Sequence, residues 1–280
     1  MQKQNFIKTE PYTLVDADCL DIFKRVGLDT IDGAFAFSSG SELKKANIST
    51  HRTRIRFELE GRIFFLKRYQ NAPKAVQIKN WLSHRKKAST ASFDRGPSEI
   101  FESANIPTPK TVAIGENWSA GFEQQSFIIT ENLYDCKSLE KQLPPCFDGS
   151  TNKHAQRCQF IETLADFAKR FHTTGLRHRD FYLAHIFLSD TGLLYLIDLQ
   201  RVFAPMLLSE RFKIKDIAQL HYSTPGNLVS CADRIRFYKH YTSTDKLSSA
   251  DKRFIKKVKA KAWRMADHDL KHGRIVPFAQ

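Results

Sequence analysis

Three carboxylate or cationic side chains stand at spacings that suit the transfer of a phosphoryl group. His178-Arg179-Asp180 follows a long helical pattern, and His185 comes five residues after the aspartate. Asp198 closes an apolar run eighteen residues beyond Asp180, and Lys67 ends the apolar run Phe64-Phe65-Leu66 far upstream. Phosphoryl transfer needs little covalent chemistry from a protein. It needs a carboxylate at the acceptor hydroxyl, a second carboxylate to hold Mg²⁺ against the triphosphate, and a fixed cation on the phosphates. Asp180, Asp198 and Lys67 are of those three types. Taken singly each has a bland reading: a surface ion pair, a turn former, a solvated lysine. Their value lies in their order and in the local setting of each.

The elements around them follow from periodicity. Arg52–Leu59 and Arg62–Tyr69 are β-rich runs joined by Glu60-Gly61, a tight-turn pair, and Ile55, Phe57 and Leu59 alternate with Arg54, Arg56 and Glu58. Residues 73–88 predict a basic helix, Gly96-Pro97 a break, and residues 98–105 a second, short helix. After Ile106-Pro107-Thr108-Pro109 the chain is extended, because residues before proline are pushed out of the helical region. Residues 126–133 read as a buried strand and 144–152 as turn-rich. Phe160, Leu164, Phe167 and Phe171 mark one face of an amphipathic helix, stopped by Gly175. A strand, a turn at Asp190-Thr191-Gly192 and a strand ending at Asp198 form a hairpin that returns the chain towards Asp180. Residues 1–38 read as irregular and 209–280 as mostly helical. Strands early and helices late predict an α+β fold with a small β-rich lobe, residues 1–133, and a larger α-rich lobe, residues 134–280.

The segments His178–Leu188 and Leu196–Val202 resemble the lipopolysaccharide core kinases, the family that phosphorylates heptose or 3-deoxy-manno-octulosonic acid (Kdo) in Gram-negative bacteria. The family has a histidine where His185 stands and, as here, Leu-Gln-Arg after the metal-binding aspartate. It also shows a segment similar to Lys215-Asp216-Ile217-Ala218-Gln219-Leu220. The resemblance covers roughly residues 40–225 and implies a protein-kinase-like two-lobe fold and an ATP- and Mg²⁺-dependent sugar kinase. It implies Asp180 as general base within a catalytic His178-Arg179-Asp180 set, Asp198 as metal ligand and Lys67 as the phosphate contact. It further implies Glu131, Asn132 and Leu133 as the adenine-side hinge, and Asp216 as a brace for the catalytic loop. His185 is implied as a metal or phosphate contact, with a loop-bracing role equally open. The acidic partner of Lys67 is Asp94 by family spacing. Glu99 is preferred here as the better helix residue, because Gly96-Pro97 would interrupt a helix containing Asp94. The segment 44–53, which should cover the phosphates, has no glycine; Ser49, Thr50, His51 and Arg52 are its polar candidates. That absence is what favours a catalytically silent pseudokinase as the alternative, beside a choline- or aminoglycoside-type kinase.

The bulk composition bounds the partners. The chain has 280 residues, 41% apolar content and a formal net charge of +14. Such a surplus favours anionic partners and disfavours the cationic substrates of choline- and aminoglycoside-type kinases. No nucleic-acid-binding motif accompanies the charge, so no nucleic-acid partner is expected. Five dispersed cysteines (Cys19, Cys136, Cys146, Cys158, Cys231) without a C-x-x-C pair argue against a disulfide framework and for a reducing compartment. With no secretory leader and no membrane-spanning stretch, the expectation is a cytoplasmic protein, peripheral on the inner membrane. It would act on the lipopolysaccharide core or a lipid A-linked glycolipid. Positive charge gathers in 74–87 and 251–264, and both segments predict a face for the anionic membrane surface.

Overall fold

The computed structural model describes residues 5–43, 51–148 and 153–277. Two compact units divide the chain: Met1–Glu99 with Thr108–Tyr134, and Ile100–Pro107 with Asp135–Gln280.

The first unit opens with strands β1 (Phe6–Glu10) and β2 (Thr13–Asp16), then short helices α1 (Leu20–Arg25) and α2 (Ile31–Ala36). The irregular reading of residues 1–38 is therefore corrected. Each helix is only six residues long, too short for a 3.6-residue period to show in the sequence. Tertiary packing reveals them instead. Phe23 and Phe37 are core residues, with ring centroids 5.3 Å from Phe64 and 4.8 Å from Phe57 respectively. Strands β3 (Ser41–Glu42), β4 (Arg52–Leu59) and β5 (Arg62–Gln70) follow. Glu60 and Gly61 both take positive φ, +50° and +74°, the conformation a two-residue hairpin turn requires.

Helices α3 (Lys74–His84) and α4 (Thr90–Ser103) come next, then β6 (Thr111–Ser119) and β7 (Phe122–Glu131). Among the described residues these strands form one sheet in the order β1-β2-β6-β7-β5-β4-β3. The helix expected to begin after Gly96-Pro97 instead runs continuously through it. Its start is anchored well before the proline. Thr90 donates from its backbone N–H and its hydroxyl to the buried Glu123 carboxylate, both at 2.9 Å, and the Ala91 N–H donates to Ser126 Oγ at 3.2 Å. With the first turn fixed this way, the one backbone bond lost at Pro97 does not end the helix.

In the second unit, strand β8 (Cys136–Ser138) is followed by helix α5 (His154–Thr173), then by β9 (Ile186–Ser189) and β10 (Leu194–Leu196). These strands form a sheet of order β10-β9-β8. Phe167 and Phe171 of α5 are fully buried, and Phe160 and Leu164 pack against the same core. Helices α6 (Ser209–Ser223), α7 (Cys231–Thr242) and α8 (Ser249–Lys271) complete the unit. Ser230 and Ser248 each close a reciprocal capping box, with Asp233 and Asp251, which defines where α7 and α8 begin.

Candidate active site

The loop between α5 and β9 carries the candidate residues 178–185, and α6 dictates its shape. Asp216 is completely buried; its two carboxylate oxygens accept the N–H groups of His178 (2.9 Å) and Arg179 (3.0 Å). One turn on, Gln219 Oε1 accepts the Phe181 N–H at 3.0 Å. A turn later Ser223 Oγ accepts the Leu183 N–H at 3.0 Å. Spacings of three and four residues put these three side chains on one helix face. The Arg179 carbonyl in turn accepts from Lys215 Nζ (2.7 Å) and Gln219 Nε2 (2.6 Å). Arg179 is held at φ +67°, a conformation a non-glycine residue keeps only where its surroundings enforce it.

Asp180 emerges from this frame with its side chain 20% exposed and an ion pair to Arg201 at 2.7 Å. His185 Nδ1 lies 2.7 Å from the Asp180 carbonyl oxygen. A carbonyl only accepts, so Nδ1 carries the hydrogen, and in the neutral ring Nε2 is left with a lone pair. His178 is fully buried, with Nε2 donating to the Ile197 carbonyl at 3.0 Å, and burial pushes its pKa down. The His178 imidazole is thus sealed from solvent and braces the loop from within. The Ile197 N–H donates to the His185 carbonyl at 3.1 Å. His178 and His185 thus clasp the residue before Asp198, and the β9–β10 hairpin brings Asp198 to the Asp180 loop. Asp198 itself sits at φ +58°. The guanidinium of Arg179 lies over the Phe203 ring, 3.7 Å from its centroid. Burial, then repulsion from Arg201, lowers the Arg179 pKa.

In the first unit Lys67 lies on β5, between Arg54 of β4 and Ile128 of β7 in register. Its Nζ is 2.5 Å from Asp94 Oδ2, and the Tyr69 hydroxyl is 3.4 Å from the same oxygen. The preference for Glu99 is overturned. Its side chain is 73% exposed and lies 3.7 Å from Arg95. Five residues along a helix turn the side chain by about 140° away from the Asp94 face. The reason given for Glu99 fails with it, because Gly96-Pro97 does not break α4. Glu131 forms a two-pronged pair with Arg62, at 2.9 and 3.1 Å, which raises the Arg62 pKa. The N–H groups of Glu131 and Asn132 donate to the carbonyls of Lys110 and Ile63, both at 2.9 Å. Of the glycine-free segment, residues 44–50 lie outside the described residues. The His51 carbonyl accepts from the Gln70 N–H, and the Arg52 guanidinium lies over the Tyr69 ring.

Gln219, Ser223 and the ion pair of Arg201 were missed in the residue pattern. Arg201 had a signal, since it closes the Leu-Gln-Arg segment. Gln219 and Ser223 had a fainter one: polar residues three and seven positions after Asp216, on an otherwise apolar stretch.

The comparisons with known proteins follow the same lines. Residues 51–241 match the model of the family described as "Lipopolysaccharide kinase (Kdo/WaaP) family". The lipopolysaccharide core heptose(I) kinase WaaP of Escherichia coli (strain K12) is 29% identical over 250 residues, covering 83% of this chain and 93% of that protein. The protein of the same description from Pseudomonas aeruginosa is 27% identical over 197 residues, covering 68% and 73%. A solved structure described as "WaaP in complex with acyl carrier protein" superposes with a TM-score of 0.65 at 22% identity, covering 93% of this chain and 98% of that one. That likeness shows the fold.

Proposed function

The chain belongs to the lipopolysaccharide kinase (Kdo/WaaP) family, and from that premise we propose that it transfers the γ-phosphoryl group of ATP to a heptose hydroxyl of the lipopolysaccharide inner core. That it is an ATP-dependent sugar kinase of this core follows from its family and from the names of its relatives. Heptose, rather than Kdo, is the acceptor named for each of those relatives. The observation that carries the chemistry is the Asp180 carboxylate, presented by a loop whose backbone is held from α6 and oriented by Arg201.

In this reading Asp180 accepts the proton of the acceptor hydroxyl as its oxygen bonds to the γ-phosphorus, and the bond from that phosphorus to the bridging oxygen of ADP breaks. Lys67 neutralises phosphate charge, with Asp94 setting its direction. Leu133, just past the ladder bonds used by Glu131 and Asn132, meets the adenine edge. Mg²⁺ takes oxygen ligands, typically one or two carboxylates with substrate phosphates and waters. Asp198 suits such a shared set. Among the described residues no group of three or more His, Cys, Asp or Glu could hold a metal ion without substrate. When bound, the ion neutralises charge between the phosphates. With its Nδ1 tied to the Asp180 carbonyl, His185 would leave Nε2 for the surroundings of the bound ion and phosphates. Arg179 and His178 shape the loop.

The acceptor is carried on a glycolipid, and the net charge of +14 suits an anionic surface. Among the described residues no helix is long and apolar enough to cross a membrane. The reading is of a cytoplasmic enzyme, peripheral on the inner membrane. Incubation with labelled ATP and dephosphorylated lipopolysaccharide, followed by fragmentation mass spectrometry, tests the acceptor. One added phosphate on heptose is expected; phosphate on Kdo, or none, overturns it.

A further inference from the structure

Helices α3 and α8 hold the two concentrations of positive charge, and packing separates them. In α8, Val258, Ala262 and Ala266 are buried, with Phe254, Ile255 and Met265 packed on the same core. Along α8 the exposed large apolar residues are Trp263 and Leu270, seven residues apart. Helix α3 is built the other way. Its inward face is mostly polar or aromatic and already satisfied. Gln77 exchanges hydrogen bonds with the Glu123 backbone at 2.9 Å, and Trp81 Nε1 donates to the Ala88 carbonyl at 2.9 Å. Trp81 also stacks on Phe122, and His84 stacks on Phe93. The apolar residues point outward: Leu82 is 75% exposed and Ile78 43%, four residues apart and so on adjacent turns. Val76, 46% exposed, lies on another face of the helix, about 160° round from Ile78. Lys74, Lys79, Arg85, Lys86 and Lys87 are all exposed, the ammoniums of Lys74 and Lys87 lying over the Phe122 and Trp81 rings, and no Asp or Glu occurs from residue 71 to 93.

We infer that α3 seats the enzyme on an anionic lipid surface, with Ile78 and Leu82 entering the boundary between headgroups and acyl chains and the exposed cations meeting lipid phosphates. An apolar stripe with a rim of lysine and arginine is the pattern of a helix lying in a membrane interface. A protein partner fits less well. Stable interfaces need about 800 Å² on each side with a charge-depleted centre, whereas α3 is about 16 Å long and carries exposed cations. The inference rests on the reading of a peripheral enzyme and names the element responsible.

Sedimentation of the full chain with vesicles of phosphatidylcholine, with and without phosphatidylglycerol, tests it. Wild type should bind only the anionic vesicles and leave them at 1 M salt, where the Debye length falls to about 3 Å. Ile78→Ser with Leu82→Ser should lower partitioning at least about tenfold, the worth of two partly inserted apolar side chains, with an unchanged melting temperature. Lys256, Lys257, Lys259 and Lys261 changed together to Gln should lower it by less than about threefold; direct contact would cost about fivefold for each cation. Leu82→Trp should gain fluorescence quenching by brominated lipid. If the α3 pair binds like wild type, or the α8 set abolishes binding, α3 is not the docking element and the peripheral reading survives. If wild type ignores anionic vesicles at low salt, that reading falls and the role of α3 with it.

Discussion

Lys67 and Asp180 belong to the same proposed reaction but are fixed in opposite ways. Lys67 is a strand residue whose charged end is steered by a side chain, Asp94 of α4, at 2.5 Å. Asp180 lies on a loop with no ladder of its own, and there the support reaches the backbone: α6 accepts four consecutive-region N–H groups, from His178, Arg179, Phe181 and Leu183. A sheet already fixes the direction of its side chains, so only the tip of a long lysine remains to be placed. A loop must have its main chain placed first. Removing a side-chain partner should therefore disturb function in the first unit and folding as well as function in the second.

The largest effect expected is at the proposed base. Asp180→Asn should lower turnover roughly 10²–10⁴-fold with nucleotide affinity and melting temperature unchanged, read by steady-state kinetics, calorimetry and thermal denaturation. Near-normal turnover would remove Asp180 from the chemistry. Asp216→Asn comes next. An amide has one oxygen where two N–H groups need acceptors, and its own NH₂ faces a donor. Each buried group left unmet costs about 1–3 kcal/mol, so the melting temperature should fall together with turnover. A normal melting temperature would dissolve the contrast between the units.

Acid provides a third test of the second unit. Burial lowers the His172 pKa and takes that of His221, with help from Arg234, down to about 3. The folded chain then binds fewer protons than the unfolded one once the pH drops below about 6.5. Stability must fall from there towards the folded values, by up to about 1.4 kcal/mol per histidine per pH unit. Thermal melts at pH 7.5 and 5.5 should show it, and a flat profile would contradict it. The smallest effect concerns α4. Asp94→Asn weakens a bond to a charged group worth about 1.5–3 kcal/mol, so the Michaelis constant for ATP should rise about tenfold. Glu99→Gln should leave it within about twofold. Reversed results would restore Glu99 as the partner of Lys67.

Legibility in the sequence followed the range of the interactions. The Arg52–Gln70 hairpin and α5 were readable because alternation, a turn pair and a long apolar stripe are local signals. The chemistry-bearing types at 67, 180, 185 and 198 were readable for the same reason. What stayed hidden depends on distant partners. Helices α1 and α2 exist through packing rather than through their own period. Helix α4 passes a proline because Glu123, thirty-three residues from Thr90, caps its start. The choice of Asp94 over Glu99 followed from that same continuity. His178 looked catalytic by neighbourhood, and only the three-dimensional packing shows it sealed. The charge of α3 and α8 was plain in the sequence, whereas which helix turns its apolar side outward was not.

The grip of α6 on the main chain of the catalytic loop bears on how such an enzyme can change its acceptor over evolutionary time. The bonds that shape residues 178–183 end on backbone N–H and C=O groups, which every residue except proline offers alike. The Tyr182 hydroxyl is tied to Gln219 and its ring packs on Tyr222 of α6, so Tyr182 is part of that scaffold, whereas the Ala184 methyl is not. Substitution there would redraw the surface offered to a sugar while the carboxylate beside it keeps its place. The loop is thus built as a socket in which position 184 can be exchanged by point mutation, without the helix that holds it having to co-adapt, while position 182 is tied to that helix.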